Sequence, residues 1–262
     1  MTHEASIVEL AAWLQTPAGR YLLAWEQEQL DAAVVDVFGF HALQLGLPEL
    51  QGLRANRMPQ RWLALDEGRA LGAPQLRHEG AALMCEFEAL PFDSASLDLV
   101  LLPHTLEFAA DPHQCLREVE RVLRPEGRLV ILGINPASSW GLRQNLGRLV
   151  ARLPGVGPDL YLPRAGDFLG YWRLRDWLRL LNLEVETARF GAYAPPLRSE
   201  KWLQRWHWLE GLGQRWWPVL GASYFLVAVK RVHGMRLVGL SRQRARIRQA
   251  RAAVALHQHH KQ

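Results

Sequence analysis

Cysteine is scarce: Cys85 and Cys115 are the only two in 262 residues. Two thiols give neither a disulfide framework nor a metal-binding pattern, so both read as small buried hydrophobes. Long apolar runs are also missing. The longest, Leu97 to Leu102 and Leu129 to Ile134, fall far short of the roughly 20 residues that span a bilayer. The N-terminus lacks the basic start of a signal peptide, so the expected location is the cytosol. Acidic residues are absent from the end of the chain. Ten of the 31 lysines and arginines, but none of the 26 acids, follow Glu210, so residues 1–210 carry a net charge of −5 and the remainder +10. Arg242, Arg244, Arg246, Arg248 and Arg251 concentrate that charge. Such a segment suits weak contact with a polyanion, or is simply a solvated tail. His257, His259 and His260 have no companion ligands at zinc-site spacing, so no metal site is expected.

What is present is a chain that is 49% hydrophobic, enough for one good-sized core with peripheral structure. Ile7, Leu10 and Leu14 mark one helix face, and Thr16-Pro17 supplies an N-cap followed by proline for a second helix. Strands are expected at His41–Gly46, Trp62–Asp66, Ala82–Phe87 and Leu97–Leu102. The last is apolar almost throughout, as a strand covered on both faces should be. Asp111-Pro112 opens a further helix, with Leu116, Val119 and Leu123 as its stripe, Gly127 as its end, and surface pairs Glu118–Arg121 and Glu120–Arg124. Arg128–Ile134 returns as a fifth strand. A helix from Arg173, closed by Asn182, precedes strands at Leu183–Phe190 and Ala222–Val229. Alternation of this kind predicts an α/β fold with a doubly wound, mostly parallel seven-stranded sheet. The domain reading is a helical cap at residues 1–36, a main domain at 37–232 and a basic tail at 233–262. Within the main domain, residues 191–220 form a Trp-rich insert containing Trp202, Trp206, Trp208, Trp216 and Trp217. That insert is expected to pack over the sheet edge, or to serve as a substrate lid or membrane-surface contact.

In such a sheet, ligands lie beyond the carboxyl ends of the strands. Asp66 stands about 20 residues after Gly46, the spacing at which nucleotide binders place a carboxylate for ribose hydroxyls; an ordinary strand-end acid is the alternative. His104, after the fourth strand, is the one nearby side chain suited to general-base work near neutral pH, or else it shapes the pocket wall. Asn135 and Trp140, after the fifth, are candidate acceptor contacts, or serve as turn cap and core packing.

The stretch LPFDSASLDLVLLPHTLEFAADPHQCLREVERVLRPEGRLVILGINP, residues 90–136, resembles the central half of a class I S-adenosylmethionine-dependent methyltransferase of the type 11 family. Within that family the chain is most similar to the small bacterial YafS-like group, through Tyr21, Phe38-Gly39-Phe40-His41-Ala42-Leu43, Pro103-His104-Thr105-Leu106, Asn135-Pro136 and the basic tail. The resemblance implies a Rossmann-like fold, with the final strand inserted antiparallel between the fifth and sixth. It also implies S-adenosyl-L-methionine as cofactor and methyl transfer as activity. Cofactor contacts are implied at Gln44, Gly46, Leu47, Asp66, Glu86, Phe87 and Pro103, with Glu86 facing the adenine amino group. One departure stands out. The family places an acidic residue and Gly-x-Gly-x-Gly after its first strand, whereas here Gln44 takes the acidic position and Pro48 and Leu50 replace two glycines. Proline removes an N–H and leucine brings a bulky side chain to the closest approach. A methyltransferase-shaped binding protein, acting through the insert and tail, is therefore the competing expectation.

Overall fold

The computed structural model describes residues 3–66, 81–151, 160–163, 168–206 and 208–231. The tail arginines from Arg242 to Arg251 and the three tail histidines lie outside them. Seven strands, β1 (His41–Leu45), β2 (Gln60–Leu65), β3 (Ala81–Met84), β4 (Leu97–Pro103), β5 (Leu123–Ile134), β6 (Leu183–Gly191) and β7 (Ser223–Lys230), form one sheet in the order β3-β2-β1-β4-β5-β7-β6. β1 to β5 pair in parallel. β7 runs antiparallel between β5 and β6.

The central strands are buried on both faces, and strand alternation sorts their side chains into two cores. On one face Leu43, Leu45, Val100, Leu102, Leu129 and Ile131 meet Leu116 and Val119 of the helix Pro112–Val122 and Leu174 and Leu178 of the helix Tyr171–Leu180. On the other, Ala42, Leu99, Leu101, Val130 and Leu132 meet α1 (His3–Leu14) and α2 (Pro17–Val34). Thr16 caps α2, its hydroxyl accepting from the Gly19 N–H at 3.2 Å. α3 is the short helix Thr105–Phe108, α4 is Pro112–Val122, α5 is Ser139–Val150 and α6 is Tyr171–Leu180.

Two local expectations change. α4 ends at Val122 rather than Gly127, because Pro125 disfavours helical backbone at Arg124 and the chain is already extended at Leu123. β5 therefore starts at Leu123. Glu118 does pair with Arg121 at 2.8 Å, but Glu120 pairs with Lys230 at 2.9 Å and Arg124 reaches Asp98 at 3.1 Å. The Trp-rich insert carries two short helices, α7 (Glu200–Arg205) and α8 (Leu209–Trp216). Asn182, at φ 57°, closes α6 as expected.

Candidate functional site

The carboxyl ends of β1, β2 and β3 stand side by side, and the loops leaving them carry the expected cofactor residues. Gly46 follows β1 at φ 73° and donates its N–H to the Ala64 carbonyl at 2.8 Å, tying the loop to the end of β2. Asp66 comes directly after β2 and is half-buried. Glu86, past the end of β3, is exposed, whereas the neighbouring Phe87 is buried in the core. Burial, with a smaller push from the nearby Asp66 carboxylate, raises the Cys85 thiol to about 11. Pro103 closes β4 opposite Leu132. The Thr105 hydroxyl donates to the Leu45 carbonyl at 2.6 Å, holding the β4 loop against β1.

The connection from β1 to β2 departs most from a phosphate-style loop. Residues 46–59 contain no helix, so no helix N-terminus faces the site from this loop. Gln44 is buried and organises the segment instead. Its Nε2 donates to the carbonyls of Gly46, Leu47 and Leu50 at 3.2, 3.0 and 2.8 Å, and its Oε1 accepts from the Gly52 N–H at 3.0 Å. Leu47 and Leu50 are 1% exposed and pack beneath the loop in the core with Leu30 and Leu101. Arg54 grips Asp31 of α2, with Nε 3.0 Å from Oδ1. The leucines thus serve burial, and the amide of Gln44 replaces an acid where loop carbonyls need a donor.

His104 does not sit as a general base should. It occupies left-handed backbone at φ 54° and is 1% exposed. Its Nδ1 lies 3.0 Å from Glu107 Oε2 and its Nε2 3.0 Å from Glu26 Oε1, reached from α2. Burial alone would lower its pKa, but the two carboxylates outweigh it and push the imidazole up to about 10. Burial raises the Glu107 carboxyl as well, with His104 opposing. A charged imidazole donating from both nitrogens has no lone pair left to take a proton. The cluster extends further: the Ser223 hydroxyl donates to Glu26 Oε1 at 2.7 Å, and Glu107 Oε1 accepts from the Ile134 N–H. It joins α2, the β4 loop, β5 and β7.

Asn135 and Trp140 are likewise occupied. Asn135 Nδ2 donates to the carbonyls of Val219 and Gly221 at 2.7 and 2.9 Å, and its Oδ1 accepts from the Ala137 N–H. Trp140 is fully buried, with its indole N–H donating to the Ala194 carbonyl at 2.7 Å. Each holds the wall of a groove of about 550 Å³, lined by Pro136, Ser139, Leu142, Tyr193, Trp217 and Leu220. The sequence reading missed Glu26 and Glu107. Glu26 did leave a signal, because it falls between Leu22 and Leu30 on the apolar stripe of α2, where a carboxylate requires a buried partner.

The profile of a methyltransferase-domain family matches residues 64–131, which run from β2 into β5. The YafS protein of Escherichia coli strain K12 is 31% identical over 252 residues, covering 94% of this chain and 92% of the relative. Among solved structures, a Thermotoga maritima S-adenosylmethionine-dependent methyltransferase, described as a possible histamine N-methyltransferase, superposes with a TM-score of 0.60 at 16% identity, over 87% of this chain and 97% of the other. The [4+2]-cyclase SpnF superposes with a TM-score of 0.51 at 18% identity, over 79% and 80%. At these identities the two structures speak for the fold alone.

Proposed function

The chain belongs to the YafS family of class I, type 11 methyltransferases, and from that premise we propose that it binds S-adenosylmethionine beyond β1, β2 and β3 and transfers a methyl group to an acceptor held near the end of β5. One observation carries the reading: Asp66 and Glu86 leave the carboxyl ends of adjacent parallel strands, beside Gly46 at positive φ. That pair of acceptors suits a nucleoside. Asp66 would accept from the ribose hydroxyls and Glu86 from the adenine amino group, with the buried Phe87 anchoring the turn that follows Glu86. Charge-assisted hydrogen bonds of this kind contribute about 1.5 to 3 kcal/mol each. The bound cofactor would supply a methyl group already activated on a sulfonium. The protein's part is then alignment and exclusion of water, which is consistent with a His104 whose nitrogens are both engaged. Its amino-acid end would meet a loop in which the N–H groups of Gly46, Leu50 and Gly52 already bond within the protein, so the nucleoside end carries most of the recognition.

The decisive variants are Asp66→Asn and Glu86→Gln, titrated with S-adenosylhomocysteine. Each should weaken binding roughly 10-fold or more, corresponding to about 1.4 kcal/mol. Unchanged affinity in both would refute this placement of the nucleoside. A second reading, a methyltransferase-shaped protein that binds without turning over, is favoured by the helix-free loop at residues 46–59 alone. It requires wild-type protein that takes up no cofactor.

A further inference from the structure

A second cavity, of about 460 Å³, lies where α2, the end of β6 and α8 meet, and no residue of the loops after β1, β2 and β3 lines it. Trp25, Phe190 and Tyr193 supply aromatic walls, and Gln29, Arg189 and Gln214 supply polar groups. No carboxylate is among the lining residues. The volume falls within the roughly 300 to 1,000 Å³ of small-molecule sites.

The polar groups are donors that the protein leaves unspent. Among the described residues Arg189 has one partner, the Gln29 Oε1 at 3.1 Å, so most of its N–H groups remain available. With its oxygen on Arg189, the Gln29 amide keeps its NH2 to give. The Gln214 side chain has no hydrogen bond among the described residues. Trp25 is 9% exposed, yet its indole N–H also has no acceptor among them. That N–H is not sealed in the core, because Glu210 Oε2 is the fully buried side-chain nitrogen or oxygen without a partner there. The indole lies flat against the end of β6, where a Cβ on Gly191 would stand 2.0 Å from its ring. Glycine at that position is what lets the tryptophan reach the cavity.

A cation and three neutral donors around one space, without an acid to answer them, call for an anionic acceptor. Glu210 touches one lining residue, accepting from the Tyr193 N–H at 2.9 Å, but does not line the cavity itself. The Tyr193 hydroxyl is committed to the Pro218 carbonyl at 2.8 Å. A carboxylate matches the planar fork of a guanidinium with two parallel hydrogen bonds. Three aromatic side chains suit a flat apolar body attached to it.

We propose that this cavity binds a small molecule carrying one carboxylate on a planar apolar body, with Arg189 pairing the carboxylate and Trp25, Gln29 and Gln214 donating around it. The site is separate from the place proposed for the cofactor, so either idea can fail without the other. Tyr193 also lines the groove after β5, so a ligand here would press on a wall shared by both.

The test titrates the 15N-labelled full chain with benzoate and follows the indole N–H resonances, with the neutral isostere benzamide as control. Benzoate should bind in the millimolar range expected of so small a probe, and the resonance that moves most should be the one missing from Trp25→Phe. Benzamide should bind about 10-fold more weakly or worse. Arg189→Gln and Gln214→Ala alter exposed side chains and should leave the circular dichroism unchanged; the first should weaken benzoate about 10-fold and the second about 3-fold. The proposal would be overturned by a Trp25 resonance that stays still in tens of millimolar benzoate, by movement confined to other indoles, by equal binding of benzamide, or by undiminished binding in Arg189→Gln.

Discussion

The Nε2 of His104 lies 3.0 Å from the Glu26 carboxylate, although 78 residues separate the two in sequence. This contact fastens α2 across the β4 loop at the centre of the sheet's carboxyl edge, and Glu107 holds the other ring nitrogen at 3.0 Å. An imidazolium between two carboxylates is a structural cation.

His104→Gln should therefore cost about 3 to 5 kcal/mol, since it leaves carboxylates buried without their cation. The pH dependence has a definite sign. The folded-state pKa of His104 is raised to about 10 from an ordinary 6.5, so its contribution is fully present below about pH 6.5 and is lost as pH rises toward 10. Glu107, also raised, acts in the same direction. Thermal midpoints of wild type should fall across that window, and the fall should shrink in His104→Gln, as calorimetry at several pH values would reveal.

Gln44→Leu removes the donor shared by three loop carbonyls. We expect a loss of about 2 to 3 kcal/mol, because buried carbonyls are left without partners. Leu50→Gly, which restores a family glycine, should destabilise by at least 2 kcal/mol, since it empties a core position. Urea unfolding of both variants measures this, and a gain in stability for Leu50→Gly would contradict the account of the loop.

Tyr21 donates to Glu210 Oε1 and so anchors α8 to α2. Tyr21→Phe should cost about 1 kcal/mol and speed amide exchange in residues 209–216 more than in β4. Uniform protection across both segments would show that the insert is held by other contacts.

Much of this architecture was legible locally. The apolar run at Leu97 could only be a strand covered twice, and Asp111-Pro112 capped α4 as written, with Asp111 Oδ1 accepting from the His113 and Gln114 N–H groups. The antiparallel β7 and the Asn182 stop also followed from short-range pattern and resemblance. What was hidden depends on distant partners. His104 stood open between a base and a pocket-wall residue because its neighbours in sequence do not include Glu26. Asn135 and Trp140 stood open between acceptor contact and packing because the carbonyls that occupy them come from residues 194–221. The loop after β1 was visibly altered, yet only the packing of Leu47 and Leu50 against α2 explains what the alteration achieves. Pro125 was a legible stop for α4 that outweighed Gly127.

The most direct measurement is calorimetric titration of wild-type protein with S-adenosylmethionine and S-adenosylhomocysteine. Binding in the micromolar range, competed by adenosine, is the predicted result, because recognition rests on Asp66 and Glu86. Absence of heat at millimolar ligand would contradict cofactor binding and leave a methyltransferase fold serving as a binding protein.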